Sequence, residues 1–563
     1  MSAGASTASS ATDVERDHDH DVGADTDPPQ LSALFLIRFD KKVGYTVAWK
    51  RSNAAVSLDG AVEYKSLPSG LHTLASDLVY FVHEGYAGLS AYAKGEAGAE
   101  ERNAQFVSVG ILVSRAYGRL GRSWLLASKL RHLAETLADD AERTAVLEEF
   151  WEQQSSGREG NDKAGSSKGE ELRINGKAGR KRALSTLTSV VPSEKGGLVA
   201  DHPALSMLKY VEVLGPLVFR LQQAALLRKR ILFVGAPPVR TCCEFAGRAD
   251  EAVYNLSVLS SIPPHAADVL SPGTETLLRL PALFSVGVHD IPELEQLQTQ
   301  KANGATQAGE DRPSQGWVAC TTDEIITTKK KLFDIVVKMP ETYDAPPQKK
   351  VWPIMKTSDG TQIKASQRDL RRWKMLQLEL RKHRRSPSED YNEQDDDDDD
   401  GEQAALIRPN EACGAEDDLS VDDSIVESTT WPQLAYSGFM WWASAGEGDS
   451  YTTTERDRDR DLVGDLSDYA DALPTAIIAY FHRSTTQLIQ NLNSIIERSD
   501  EDETEEDDGT LLLDKGDVSR MGLDTWSEAD RAFLSEFSWM WCGRVVDIRG
   551  ASVDCCGVRI PVF

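Results

Sequence analysis

Leu34-Phe35-Leu36-Ile37-Arg38-Phe39, a turn at Asp40-Lys41-Lys42, then Val43-Gly44-Tyr45-Thr46-Val47-Ala48-Trp49: here the chain passes from a nearly unbroken apolar run to strict alternation. The first run predicts a strand covered on both faces. The second, with Val43, Tyr45, Val47 and Trp49 on one side, predicts a strand with only one face covered. Downstream, Pro68-Ser69-Gly70 marks 62–72 as a short helix or turn, and Leu78–His83, Tyr86–Ala93 and Phe106–Val113 read as three further strands. From Gly121 the period changes, and Leu126, Leu130, Leu133 and Leu137 fall at helical spacing. The pattern predicts a five-stranded antiparallel sheet with covering helices over residues 31–138, after a polar tail, 1–30, that has nothing to bury.

Residues 139–200 read as the end of a helix and a disordered linker rich in Gly, Ser, Lys and Glu. A second apolar region, 201–341, opens at Pro203, a fitting first-turn proline, and continues as a helix through Leu205, Leu208 and Val211 to a break at Gly215-Pro216. Ile231–Val234, Leu283–Val288, Gly316–Cys320 and Leu332–Val337 are predicted strands; their alternation with helices suggests an α/β layer, with 296–314 a polar insertion. Composition collapses again over 342–430, read as a disordered insertion whose removal should leave the fold intact, with one basic helix at 366–385. The last region, 431–563, reads as mainly helical, with helices across 473–497 and 526–541 around an acidic insertion at 499–509.

The net charge of −28 is concentrated in the segments read as linkers: residues 386–430 carry −16, 500–508 carry −8 and the amino-terminal tail −6. The folded regions are thus close to neutral, and charge gives no support to nucleic-acid binding. The exception is 366–385, at +6. With Leu370, Trp373 and Leu380 on one side, this helix could be a solvated excursion, a contact for anionic lipid, or a clamp on the acidic run after it.

Cysteines at 242, 243, 320, 413, 542, 555 and 556 form no C-x-x-C pair, so reduced thiols are expected and neither metal nor cofactor. Asp17-His18-Asp19-His20 has metal-capable atoms but no scaffold to hold them. Val234-Gly235-Ala236-Pro237-Pro238 sits where a phosphate loop would, but lacks the second glycine and the Lys-Ser/Thr, and its prolines remove backbone donors. No G-x-S-x-G elbow occurs, His72, His83 and His482 are expected to be surface or core residues, and Asn255-Leu256-Ser257 is a glycosylation sequon by pattern alone. No catalytic residue is assigned. The polar amino terminus predicts no signal peptide, and no apolar run suits a membrane span, so a cytoplasmic protein is expected.

Several strings together carry a resemblance. Leu34–Asp40, Gly60–Gly70, Asp77–Phe81 and Ser108–Leu112, then Ile231–Val239, Leu283–Ile291 and Ala319–Ile325, resemble LCHN-type DENN-domain proteins; Phe439–Ala445 and Met521–Trp526 resemble the fungal members. The resemblance implies a longin-like sheet over 31–138 followed by an α/β DENN module. It also implies a partner: such proteins bind a Rab-type GTPase between the two lobes and promote nucleotide exchange in membrane trafficking. It transfers no contact residue. An effector, or a trafficking scaffold without exchange activity, stays open, and the nucleotide state of the bound GTPase would separate the three.

Overall fold

All five predicted amino-terminal strands form: β1 (Leu31–Asp40), β2 (Gly44–Ser52), β3 (Ser76–His83), β4 (Tyr86–Gly95) and β5 (Gln105–Ser114). The computed structural model describes residues 28–40, 42–68, 74–95, 105–140, 142–156, 198, 201–235, 249–304, 315–340, 350–384, 421, 424–443, 453–464, 473–501, 510–548, 552–555 and 558–561. The strands lie in the order β2-β1-β5-β4-β3, each antiparallel to its neighbour. β1 is buried on both faces as its sequence predicts. Leu34 and Leu36 enter the core under the helix Ala127–Asp139, while Ala33, Phe35 and Ile37 pack on the other face with Val62 and Phe81. That second face is built around small residues: Gly110 pairs with Phe35, whose ring occupies the space a Cβ at Gly110 would need.

The second lobe supplies four parallel strands, β6 (Ile231–Val234), β7 (Ala282–Ser285), β8 (Val318–Thr321) and β9 (Ile335–Lys338), in the order β9-β6-β8-β7. The two lobes join edge to edge through β3 and β7, giving one continuous sheet of eleven strands with β10 (Ile354–Thr357) and β11 (Gln362–Ile363) at its far end. The α/β class is therefore as read, but the half-sheets are continuous, so neither leaves an unpaired edge at the junction.

Several expected boundaries move. The strand expected at Leu283–Val288 stops at Ser285, because Gly287 and Asp290 close a capped 3-10 turn. That expected at Leu332–Val337 starts at Ile335. A helix, Ala145–Ser156, stands within 139–200, with Leu147 and Phe150 buried against the first lobe. Another, Ile291–Gly304, occupies the first part of 296–314, and the long helix Leu473–Glu501 enters 499–509. The Asp17–His20 run, His72, and Cys242, Cys243, Cys413 and Cys556 lie outside the described residues.

The largest correction concerns 342–430. Residues 350–384 are folded: β10 and β11 extend the sheet, and the basic helix Gln367–Arg384 is a core element. Trp373, Leu376 and Leu380 are buried, and so are Arg368 and Arg372, so of the three readings left open for this helix the solvated excursion does not hold. The Trp373 indole donates to the Val211 carbonyl at 3.1 Å and meets Trp352 edge-on at 5.7 Å. Trp352 in turn packs over Gly215, whose φ of +59° and missing Cβ allow both the helix break and that close approach. Trp373→Ala should therefore cost about 3–5 kcal/mol, read as a lower urea midpoint. Deletion of 343–430 should unfold the second lobe, the reverse of the expectation from composition.

The helix is tolerated in the core because distant acids neutralise it. Arg368 pairs with Asp459 at 2.9 Å. Arg220 meets Asp369 at 3.3 Å, Asp530 at 2.6 Å and Glu427 at 3.3 Å. Acids outnumber bases in this cluster, and burial pushes Asp369 up to about 6, Arg220 opposing. Burial also raises Glu427 and Asp524. In the unfolded chain Asp369 should titrate near 3.8, so the folded state holds a proton there that the unfolded state has released. Its stabilising contribution is complete below pH 3.8 and is lost as the pH rises through about 6. Asp369→Asn should remove that part of the decline, giving a flatter profile of Tm against pH between 4 and 7 than the parent chain.

A second core joins the long helix Leu473–Glu501 to the helix Glu528–Cys542. The long helix spans both cores: Ile477, Tyr480 and Phe481 lie in the first, and Leu488, Leu492 and Ile495 in the second. The short strands β12 (Leu511–Leu513) and β13 (Val546–Ile548) pair parallel beside it, and β14 (Ser552–Cys555) and β15 (Val558–Pro561) form a separate hairpin; none of the four was predicted.

Candidate functional site at the seam of the two lobes

The seam is where an antiparallel half-sheet meets a parallel one, and β7 bears the mismatch. Its register with β8 shifts between Ala282 and Phe284, and Phe284 adopts a φ of +59°. Such a backbone is costly for a bulky side chain. It is held by burial: Phe284 is fully enclosed, pairs across the seam with Phe81, and its ring lies 6.2 Å from that of Tyr80.

Just beyond β7, the chain turns through Gly287-Val288-His289-Asp290. Asp290 accepts from the Gly287 amide at 2.8 Å, and Asp323 accepts from the Val288 amide at 3.1 Å, which ties the end of β7 to the end of β8. From the first lobe, the one-turn helix Val62–Lys65 closes over this point. Lys65 lies 2.7 Å from Asp290 and 3.0 Å from Glu293, and also donates to the Val82 carbonyl at 3.2 Å. Burial works against its charge, but the two carboxylates outweigh that and hold Lys65 above its usual value. Tyr64 stacks on His289 with ring centroids 3.9 Å apart.

Apolar groups face outward on this rim. Tyr64 is 53% exposed, Val288 37% and Ile325, in the helix Glu324–Thr328, 60%. Tyr64 precedes the ion-paired Lys65 in the chain, the Val288 amide is held by Asp323, and Ile325 follows Asp323 by two residues. The rim lies at the carboxyl ends of parallel strands. The connection from β6 runs to the helix Ala249–Leu259 and that from β8 to the helix Glu324–Thr328, on opposite faces of the sheet. Such a divergence is where open α/β sheets take ligands. Of Val234–Pro238, only Val234 and Gly235 are described, and the Gly235 amide donates to the Thr321 carbonyl at 3.0 Å.

An apolar rim with fixed charges suits a protein surface, since interfaces combine aromatic anchors with a polar border. Among the described residues of the rim, no nucleophile stands beside a base. His83 lies 2.6 Å from the Ser57 carbonyl and His482 2.9 Å from that of Val258, and burial pulls His482 down. Asn255 of the sequon is fully buried and donates to Ser206 at 3.0 Å. Among the described residues no group of His, Cys, Asp and Glu could hold a metal ion, and no helix is long and apolar enough to cross a membrane. The sequence named no contact residue here. Ile325 closes a string that carries the family resemblance and Tyr64 lies inside another, but only the fold brings them to one rim.

A family model described as DENN domain-containing protein 11 matches residues 34–349, a span that crosses the seam, and one described as a domain of unknown function (DUF4484) matches 426–512 and 504–561. The chain is 22% identical to the uncharacterized protein ANR2 of Saccharomyces cerevisiae over 571 residues, 94% of each chain. It is 31% identical to DENN domain-containing protein 11 of Xenopus laevis over 309 residues, 54% of this chain and 59% of that one. For the protein of that name in Rattus norvegicus the identity is 30% over 316 residues, covering 56% and 58%. The match thus covers less than two thirds of these vertebrate relatives.

Proposed function

The chain belongs to the DENN domain-containing protein 11 family, and on that premise we propose that it binds a Rab-type small GTPase at the seam and promotes release of its nucleotide during membrane trafficking. The observation that carries this reading is the exposed rim of Tyr64, Val288 and Ile325, which combines residues of both lobes. A partner seated there would touch both at once. The lobes are already fastened by Lys65 to Asp290 and Glu293 and by the paired β3 and β7, so docking needs little ordering of the protein.

Exchange of this kind needs no acid–base residue. The factor lowers nucleotide affinity only by as much as it prefers the empty GTPase over the loaded one. The test is capture of a Rab panel in empty, GDP-loaded and GTP-loaded forms, with release of a fluorescent GDP followed in parallel. Capture strongest for an empty Rab, with faster GDP release that needs no ATP, is the expected result. Capture only of GTP-loaded Rab would make the protein an effector, and equal capture in all three states a scaffold.

A further inference from the structure

Lys515 opens the short helix Lys515–Arg520, and its ammonium lies over two aromatic rings rather than beside a carboxylate. It stands 4.0 Å from the centre of the Trp526 ring and 4.8 Å from that of Tyr436, with the two rings 5.4 Å apart. Tyr436 comes from a separate element, the helix Trp431–Ala443. Among the described residues Lys515 has no hydrogen-bond or ion-pair partner. The acids beside it in the chain are committed to each other and to another cation. Asp514 accepts from the Asp517 amide at 2.8 Å, Asp517 accepts from the Asp514 amide at 3.0 Å, and Asp517 pairs with Arg520. Glu455 attracts the ammonium, but it accepts from Ser519 Oγ at 2.7 Å and lies 3.8 Å from Arg368. Arg531, whose Nε is buried with no acceptor, repels it. Elsewhere Lys65, Lys229 and Lys329 each face a carboxylate.

Burial pulls Lys515 down to about 8, with Arg531 adding to it and Glu455 opposing. About a tenth of such a group is neutral amine at pH 7, against fewer than about one in a thousand for an ordinary lysine. The residue is only partly buried, so that amine is open to a reagent from solvent. A clamp with a structural role alone would be served as well by arginine, which stays charged under all ordinary conditions. Lysine makes the clamp one whose charge can be removed.

The helix that the clamp holds has a narrow attachment. Gln433 is buried and Tyr436 makes the ring contacts with the body, whereas Trp431, Leu434, Ala435 and Gly438, at helical spacing, are exposed, Trp431 by 85%. A ring face attracts a cation and has no such hold on a neutral amide. Loss of the Lys515 charge therefore acts directly on the docking of this helix.

We propose that Lys515 is an acylation site: its amine takes an acyl group from a thioester of the acyl coenzyme A class, and the loss of charge frees the helix Trp431–Ala443 from the body. The neutral amine attacks the thioester carbonyl, the carbon–nitrogen bond forms and the carbon–sulfur bond breaks. The thiolate leaves and takes up the proton that the amine gives up. No oxidant or reductant is needed, and the product amide is uncharged at every pH.

The test uses the full chain and acetyl coenzyme A, with sites and rates read by peptide mass spectrometry. At pH 7 Lys515 should be labelled about tenfold faster than the exposed Lys42 and Lys330, the larger neutral fraction being partly offset by the weaker nucleophilicity of a less basic amine. Its rate should level off above a pH of about 8. Hydrogen exchange across 431–443 should be about tenfold faster in the acetylated protein and in Lys515→Gln, and unchanged in Lys515→Arg, which keeps the charge over the rings. Labelling of Lys515 no faster than that of Lys42 and Lys330 overturns the proposal. So does exchange across 431–443 that is unchanged in Lys515→Gln, or as fast in Lys515→Arg as in Lys515→Gln.

Discussion

Replacing Arg220 by methionine is expected to cost about 3–5 kcal/mol, enough to abolish most of the stability of an ordinary domain. Arg220 is 3% exposed and bonds across the molecule: to Asp530 at 2.6 Å, Ser527 at 2.9 Å, the Lys364 carbonyl at 3.0 Å and Asp369 and Glu427 at 3.3 Å. Methionine keeps much of the stem volume, so the loss comes mainly from carboxylates left buried without their cation. That cause makes a second result predictable. Adding Asp530→Asn to Arg220→Met should recover part of the loss, because the orphaned charge is removed with its partner. Urea denaturation of the two single variants and the double variant measures both effects. A loss below about 1 kcal/mol for Arg220→Met would show that surrounding water screens the cluster and that it contributes little.

The same cluster shows what local sequence could and could not reveal. β1 was legible because the nearly unbroken apolar run that starts at Leu34 can only be buried on both faces. The leucines of Ala127–Asp139 were legible because helical spacing is a local property. The helix Gln367–Arg384 was read as a helix for the same reason, and its Trp373 and Leu380 were correctly placed on one side. Its burial was not legible. The partners that neutralise Arg368 and Arg220 come from Asp459, Glu427 and Asp530, separated from them by between 91 and 310 residues. Within its own neighbourhood the helix has only a solvated excess of charge and polar flanks, and composition is a local average. β10 and β11 were hidden likewise: Ile354–Thr357 and Gln362–Ile363 are short, half-exposed strands whose pairing depends on an edge supplied by β9.

The seam was hidden for a different reason. Its rim depends on Tyr64, Val288 and Ile325, none of which belongs to a reactive residue type or a spaced motif. Exposed apolar side chains are common on any protein, and only their convergence from two lobes distinguishes these. The local devices that hold the rim are more readable in retrospect. Asp290, three residues after Gly287, has the spacing at which a carboxylate accepts from the amide that opens the turn.

The variant with the largest expected functional effect follows from that rim. Tyr64→Ala combined with Ile325→Asp should weaken capture of the cognate empty Rab by more than about tenfold, with GDP release slowed to match. Tyr64 offers a large aromatic surface stacked on His289 and therefore held at small entropic cost, the kind of residue that dominates binding energy at an interface. At Ile325 a carboxylate would have to be desolvated beneath the partner without a cation to receive it. Both side chains are more than half exposed, so the variant should keep the parent Tm within a degree or two. Trp539→Ala is the matched control: an aromatic residue 49% exposed on the helix Glu528–Cys542, which packs in the second core away from the seam. It should leave capture unchanged. Equal loss in both variants would point to general destabilisation, and no loss in the seam variant would move the GTPase off this rim, whatever exchange activity the parent chain displays.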